Sequence, residues 1–422
     1  MNTIEFVKDL NNRFFKGELS TQFQDKLQQL PIDRPDVFDF VQRMFSYMHS
    51  SGMPAKDLTL LQADIMGTLL ARILPGAWEG RVPPITVQGR HAVIDQYIKS
   101  NTWLSSNGKR LLDIGCGFPP FTTLETVHTL KDWNITGADP SLPVYLVYDE
   151  EGNYATFDDN KSVVYFQPAM PSIENWNQLL SDSSATKKYF ETLLHELLNH
   201  PAEEGFPRLE LNPIKQYETD RLRFIQGGIG EINIAPQDVI RCFNVLYYFE
   251  NSFQQNALKW FAEHTNEGGI VIIGGDWALS TECYYHVYKK ENNQLLNKEF
   301  AFGLDCLCPF GIVTWYCLHE DDPQKAELVN YTGILRKDKS FMDAFYAFHD
   351  AQRATYNLCP RDKDGYYGEG DPALQPQELW MLVAKMLSEL NDAGFHQKAA
   401  DVLSQAGFRT RINEVGHITV AS

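Results

Sequence analysis

The chain lacks any uninterrupted apolar stretch of the roughly 20 residues needed to cross a bilayer. Its N-terminus, Met-Asn-Thr-Ile-Glu-Phe-Val-Lys-Asp, lacks the apolar centre of a signal peptide. Together these absences predict a cytoplasmic protein with no membrane partner. Basic charge is also short: 37 Lys and Arg against 55 Asp and Glu leave a formal charge of −18. Non-specific nucleic-acid binding depends on clustered cations, so no nucleic-acid partner is expected. Cysteine is sparse, odd in number and irregular in spacing, at 116, 242, 283, 306, 308, 317 and 359, which suits free thiols rather than a disulfide framework. Cys306-Leu-Cys308 is too tight a spacing for the usual zinc pair, and no metal site is expected. What the chain does have is apolar mass. Over 422 residues, 43% apolar and 13% aromatic content suffices for a large core carrying two or three domains or several insertions.

Arg110-Leu-Leu-Asp-Ile-Gly-Cys-Gly117 sets an apolar run against an Asp-x-Gly-x-Gly turn, the pattern of a buried strand that ends over a nucleotide-like ligand. Gly115 and Gly117 have no Cβ, so the backbone can turn sharply and approach a ligand. A second apolar run, Trp133 to Ala138, ends in Asp139, about where the ribose-binding acid of a βαβ nucleotide site belongs, roughly 20 residues downstream. A dinucleotide fingerprint would need a third glycine at position 120, and Pro119-Pro120 stands there. Proline offers no N–H to a pyrophosphate. A ligand with a ribose and no phosphate fits this pattern best.

These segments resemble class I S-adenosylmethionine-dependent methyltransferases. Leu111 to Gly117 is similar to their first motif and Asp139 to their ribose-binding acid. Phe224-Ile-Gln-Gly-Gly-Ile229 resembles the segment against adenine, Asp238 to Phe249 the fourth strand with its turn, and Glu267 to Ile273 the fifth strand. The resemblance implies an α/β fold, a seven-stranded doubly wound Rossmann-like sheet, with S-adenosylmethionine as cofactor. Its cofactor residues would be Asp113, Gly115, Cys116, Gly117, Asp139, Gly228, Ile229 and Asn244. The chain departs from the family at Gly228, where an acidic residue is common, so the adenine contact falls to backbone or to Glu231. Pro119 and Pro120 stiffen the start of the helix that follows.

Around this core the sequence reads in four parts. Residues 1–84 are a helical N-terminal cap, with three- and four-residue apolar spacing over 37–48 and 58–74, and Pro83-Pro84 marks a linker. Residues 85–280 form the core, interrupted over 140–220 by a β-meander and a helical stretch. Residues 281–390 are an aromatic-rich insertion, and 391–422 return to the core as a helix and a β-hairpin. His195 and His200, five apart, diverge by about 140° on a helix and do not form a metal pair.

In doubly wound sheets ligands sit outside the carboxyl ends of the strands. That rule selects Asn244, Tyr247 and Tyr248 after the fourth strand, and Asp276, Trp277, Tyr284, Tyr285 and His286 after the fifth. His286 is the candidate base, since imidazole titrates near neutrality, and Tyr247 the candidate for orienting an acceptor. Arg90 and His91, ahead of the first helix, are placed to reach the carboxylate of a methionine moiety. The aromatic density of 277–316 favours a closed pocket for a small-molecule acceptor methylated on oxygen or nitrogen. Two alternatives stand beside this. Asp238 to Phe249 and the glycine-flanked fifth strand are similar to chemotaxis receptor glutamate methyltransferases, which implies a protein carboxyl methyltransferase. A non-catalytic S-adenosylmethionine-binding module is the other.

Overall fold

The computed structural model describes residues 16, 35–58, 86, 88–104, 109–170, 175, 178–179, 181–200, 205–276, 283–308, 313–315, 322–367 and 376–422. The expected helix over 59–74, the Pro83-Pro84 linker and Trp277 lie outside them.

Helix α1 (Pro35–Ser50) precedes α2 (Ala92–Ser100) and strand β1 (Arg110–Ile114), after which α3 (Phe121–Thr129) crosses to β2 (Asn134–Asp139). Leu111, Leu112 and Ile114 are all buried, the continuous apolar reading of a strand covered on both faces. An interruption follows, made of β3 (Tyr145–Tyr148), β4 (Tyr154–Phe157), β5 (Val163–Gln167), helix α4 (Ser183–Asn199) and β6 (Arg208–Leu211). These strands form a separate four-stranded antiparallel sheet, in the order β5-β4-β3-β6. The core resumes with β7 (Leu222–Gln226), β8 (Gln237–Phe243), helix α5 (Asn251–His264) and β9 (Thr265–Asp276). Strands β10 (Cys283–Glu291) and β11 (Gln294–Phe302) come next, then helices α6 (Pro323–Lys337), α7 (Lys339–Thr355), α8 (Pro376–Asp392) and α9 (Phe395–Gln405), and finally β12 (Thr410–Ile412) and β13 (Ile418–Ala421).

The main sheet has the order β12-β13-β11-β10-β9-β8-β1-β2-β7. Its half from β9 to β7 is parallel, and its other half is antiparallel. The architecture is therefore α/β with a large mixed sheet. Among the described residues the sheet has nine strands where seven were expected. The difference arises beside β9: the expected insertion contributes β10 and β11, which continue the sheet as hairpins with Tyr284 opposite Gly275 and Phe302 opposite Ile418. The hairpin of β12 and β13 then joins the outer edge rather than the centre.

Both faces of the sheet are covered. Ile94, Tyr97 and Ile98 of α2 and Val127 of α3 pack on one side with Tyr285 and Val287. Ala257 and Phe261 of α5 pack on the other with Ile240 and Ile273. The largest apolar cluster joins α1, α4 and α6 to α9 to Tyr284, Phe300 and Phe302 of the antiparallel half, around the fully buried Trp315. No helix among the described residues is long and apolar enough to cross a membrane.

Candidate functional site

The chain leaves β1 for β2 on one side and places β8 on the other. The gap between the carboxyl ends of β1 and β8 is thus the point where strand order reverses, the position at which open α/β sheets bind ligands. The residues around that gap come from turns that the sequence shapes locally.

After β1 the chain turns at Gly115 and Gly117, both left-handed, at φ +80° and +64°. A Cβ on Gly115 would lie 2.3 Å from Val245 Cγ2, so a side chain there would have to displace Val245 as well as adopt a left-handed backbone. Cys116 between them is sealed inward at 1% exposure, its thiol pushed well up by burial, and its side chain is not presented to the gap. Pro120 caps α3, which starts at Phe121 immediately after the proline pair.

Asp139 ends β2. Its Oδ2 accepts the Gly117 N–H at 3.0 Å and its Oδ1 the Ser141 N–H at 2.7 Å. Burial raises its pKa to about 6, and the two backbone donors only partly offset that. Each oxygen keeps a further acceptor site. After β7, the Gly228 N–H donates to Glu231 Oε2 at 2.8 Å, and Ile229 and Val245, both partly buried, pack on the same apolar cluster.

Asp113, which the motif groups with these cofactor residues, is placed elsewhere. Its side chain points into the protein, where Arg241 of β8 reaches it with two parallel bonds, Nε to Oδ1 at 2.9 Å and Nη2 to Oδ2 at 2.7 Å. Thr123 Oγ1 adds a bond of 2.6 Å. Arg241 also donates through Nη1 to Asp95 of α2 at 2.5 Å, and Thr126 of α3 binds the same carboxylate. Burial alone would raise the Asp113 pKa; the guanidinium outweighs it and holds the group below the ordinary carboxylate range. This knot ties β1, β8, α2 and α3 together under the gap. The Asp113 side chain is therefore taken up by this knot.

At the β8 and β9 ends a second polar array forms. Asn244 adopts φ +57°, which Asn tolerates better than most residues. Its Nδ2 donates to Asp276 Oδ1 at 2.7 Å, and its Oδ1 accepts the Asp276 N–H at 3.1 Å. The other Asp276 oxygen meets His91 Nδ1 at 2.6 Å. Tyr247 OH donates to Asn244 Oδ1 at 3.3 Å. Burial, followed by Tyr248 and Tyr284, pushes the Tyr247 phenol well up, with Arg90 opposing, so Tyr247 is a hydrogen-bond donor and not a base. Tyr247 and Tyr248 sit in a 3₁₀ turn with ring centroids 4.7 Å apart, both packed on the large apolar cluster.

His286 is not brought to this array. It lies opposite Ile273, three residues inward from the end of β9, about 10 Å at strand rise. Its Nδ1 is 3.0 Å from Tyr288 OH, its Nε2 3.1 Å from Glu327 of α6, and its ring stands edge-on to Phe300. An antiparallel β10 folds the segment back along the sheet, which moves His286 away from the ligand gap. No sequence signal singles out Lys325 of α6, whose ammonium lies 3.9 Å over the Tyr284 ring and donates to Thr314 O. Thr314 in turn bonds Asp305, whose carboxyl is pushed up by burial.

No family model matches the chain, and no curated protein matches it. Solved structures to which it is similar are methyltransferases. One is a coclaurine N-methyltransferase bound to N-methylheliamine and S-adenosylhomocysteine, 12% identical, with 65% of this chain and 62% of that one covered and a TM-score of 0.26. An O-methyltransferase family protein of Burkholderia thailandensis is 10% identical, with 79% and 55% covered and a TM-score of 0.23. An S-adenosylmethionine-bound amino pentose methyltransferase of Micromonospora echinaspora is 11% identical, with 54% and 72% covered and a TM-score of 0.22. The chain spans less than two thirds of the length of the first two. The fold described above rests on strand order and register, not on these overlaps.

Proposed function

We propose that the chain is a cytoplasmic S-adenosylmethionine-dependent methyltransferase that methylates a small molecule on oxygen or nitrogen. The observation that carries this reading is Asp139, a buried carboxylate at the end of β2 that is held by the Gly117 and Ser141 backbone N–H groups and by the Ser141 side chain, and whose pKa burial still raises to about 6. It stands beside a glycine turn in which a side chain at Gly115 would have to displace Val245, at the reversal point of the sheet. Two acceptor sites on one rigid carboxylate suit the two vicinal hydroxyls of a ribose.

In this reading Asp139 holds the ribose, Gly115 to Gly117 let the cofactor approach the backbone, and Gly228, Ile229 and Val245 flank the adenine. Arg90, buried next to the array, takes the carboxylate of the methionine moiety. The bound sulfonium supplies an electrophilic methyl group in a direct displacement, so positioning accounts for much of the catalysis. Tyr247 and Asn244 orient the acceptor at the β8 end, and Tyr284 and Lys325 wall the pocket behind it.

Isothermal titration with S-adenosylmethionine and, separately, with a nicotinamide dinucleotide tests the reading. Micromolar binding of the first alone is expected. Binding of the dinucleotide, or of neither, overturns it.

A further inference from the structure

We infer that His91 is the general base of the transfer, held in register by Asp276, and that the acceptor is therefore a protonated nucleophile, an alcohol, phenol or ammonium, and not a carboxylate. The inference rests on the cofactor reading above and adds the chemistry of the acceptor to it.

The geometry comes from three separate elements. His91 caps the start of α2; Asp276 ends β9; Asn244 follows β8. Asp276 is fixed from two sides by Asn244, through its carboxylate and its own backbone N–H. That leaves Oδ2 aimed at His91 Nδ1, 2.6 Å away. A carboxylate at that distance holds the Nδ1 proton, which sets the tautomer and leaves the Nε2 lone pair for an acceptor. The ring is wedged 5.4 Å from Phe243. Of the side chain, 7% stays exposed, and Nε2 is not among the sealed polar atoms. Asp276 by contrast has a fully covered side chain, so it acts only through the histidine and is a positioning residue.

An alcohol or phenol oxygen would pass its proton to Nε2 as it bonds the methyl carbon, an ammonium would first give its proton to Nε2 and attack through the lone pair so freed, and the methyl–sulfur bond would break with its electron pair going to sulfur. The resulting imidazolium is stabilised by Asp276 and returns its proton to water. A carboxylate acceptor carries no proton at working pH and would leave this pair with nothing to do. The charges that face His91 are Asp276 from β9, Asp113 from β1 and Asp95 on its own helix, and the Arg241 guanidinium of β8 faces these three carboxylates.

The test uses the full chain with labelled-methyl S-adenosylmethionine and three probes: catechol, benzylamine and benzoate. S-adenosylhomocysteine binding is measured by calorimetry in parallel. Label is expected in a protic probe and not in benzoate. His91→Gln should lower kcat/KM by about 100-fold or more, abolish the acid limb of the pH profile, and leave S-adenosylhomocysteine affinity within about threefold. In nitrogen-resolved NMR the wild type should show a downfield Nδ1 proton that Asp276→Asn removes. If His91→Gln does not fold, Asp276→Asn carries the same pH-profile test. Methylated benzoate, an unchanged rate in His91→Gln, or a loss of S-adenosylhomocysteine binding in that variant overturns the base assignment. So does the absence of label in every probe while S-adenosylhomocysteine still binds, which leaves the cofactor reading standing. Absence of that binding in the wild type sinks the cofactor reading itself.

Discussion

Asp113 and Asp139 sit on neighbouring strands, and both are buried, yet they are answered in opposite ways. Asp113 meets a bidentate guanidinium and a hydroxyl and is held below the usual carboxylate range. Asp139 meets two backbone amides and is left with its pKa raised to about 6. Asp113 has a cation supplied beside it, whereas Asp139 is answered by neutral donors, and that difference makes Asp139 the candidate for a ligand contact. The floor of the gap and its rim are thus distinguished by what the protein itself supplies to each acid.

The sharpest way to break that contrast is at the floor. Arg241→Met strips the cation from two buried carboxylates, Asp113 and Asp95, and is expected to cost about 3–5 kcal/mol in denaturant unfolding. Replacing Arg241, Asp113 and Asp95 together by apolar residues of similar volume should recover much of that loss. A cost under about 1 kcal/mol for Arg241→Met alone would mean that the knot is not what joins α2 and α3 to the sheet.

At the rim the same kind of change should act on the ligand and spare the fold. Asp139→Asn is expected to weaken S-adenosylmethionine binding by about 1.5–3 kcal/mol, the range for hydrogen bonds to a charged group. Stability should hold or rise, because an ionised group that burial disfavours has been removed. The pH dependence has a defined sign. With the native pKa raised to about 6 from the ordinary 3.8 of an aspartate, the native state binds more protons than the unfolded state between those values. This group's contribution to stability therefore falls as pH rises through that window and is level above it. Ligand affinity runs the other way, strengthening as pH rises through about 6 and the carboxylate forms. Asp95 is also raised to about 6, so the comparison is the difference between wild type and Asp139→Asn, in which both slopes from this residue should vanish.

The parallel half of the sheet, the glycine turn and Asp139 were legible because each is local: an apolar run, a turn and an acid follow one another within a few residues. What was not legible depends on partners far along the chain. Residues 283–287 are all buried, so the segment shows no alternation that would mark a strand, and it reads as the core of an insertion. Its place beside β9 appears only once Tyr284 is paired with Gly275. Arg241 did leave a signal: an arginine in the middle of Val-Ile-Arg-Cys-Phe calls for a buried acid, but nothing in the sequence points to Asp113 and Asp95 as the partners. His91 was noticed ahead of the first helix, as a candidate for the methionine carboxylate, and Asp276 after the fifth strand, but they are 185 residues apart, and no spacing rule joins them.

The comparison also predicts where a charge pair should matter least. Lys339 and Asp343 face each other one turn apart on α7, with side-chain exposures of 85% and 65%. Water solvates both groups before and after folding, and holding two long side chains together offsets most of the attraction. Lys339→Ala should therefore change unfolding free energy by no more than about 0.5 kcal/mol, and any effect should fade as salt is raised from 0.05 to about 0.5 M, where screening shortens the reach of surface charge. Arg241→Met, sealed from salt and solvent alike, should keep its full cost across the same range. Equal salt sensitivity in the two variants would show that the Arg241 knot is open to water, and the distinction between floor and rim would fall with it.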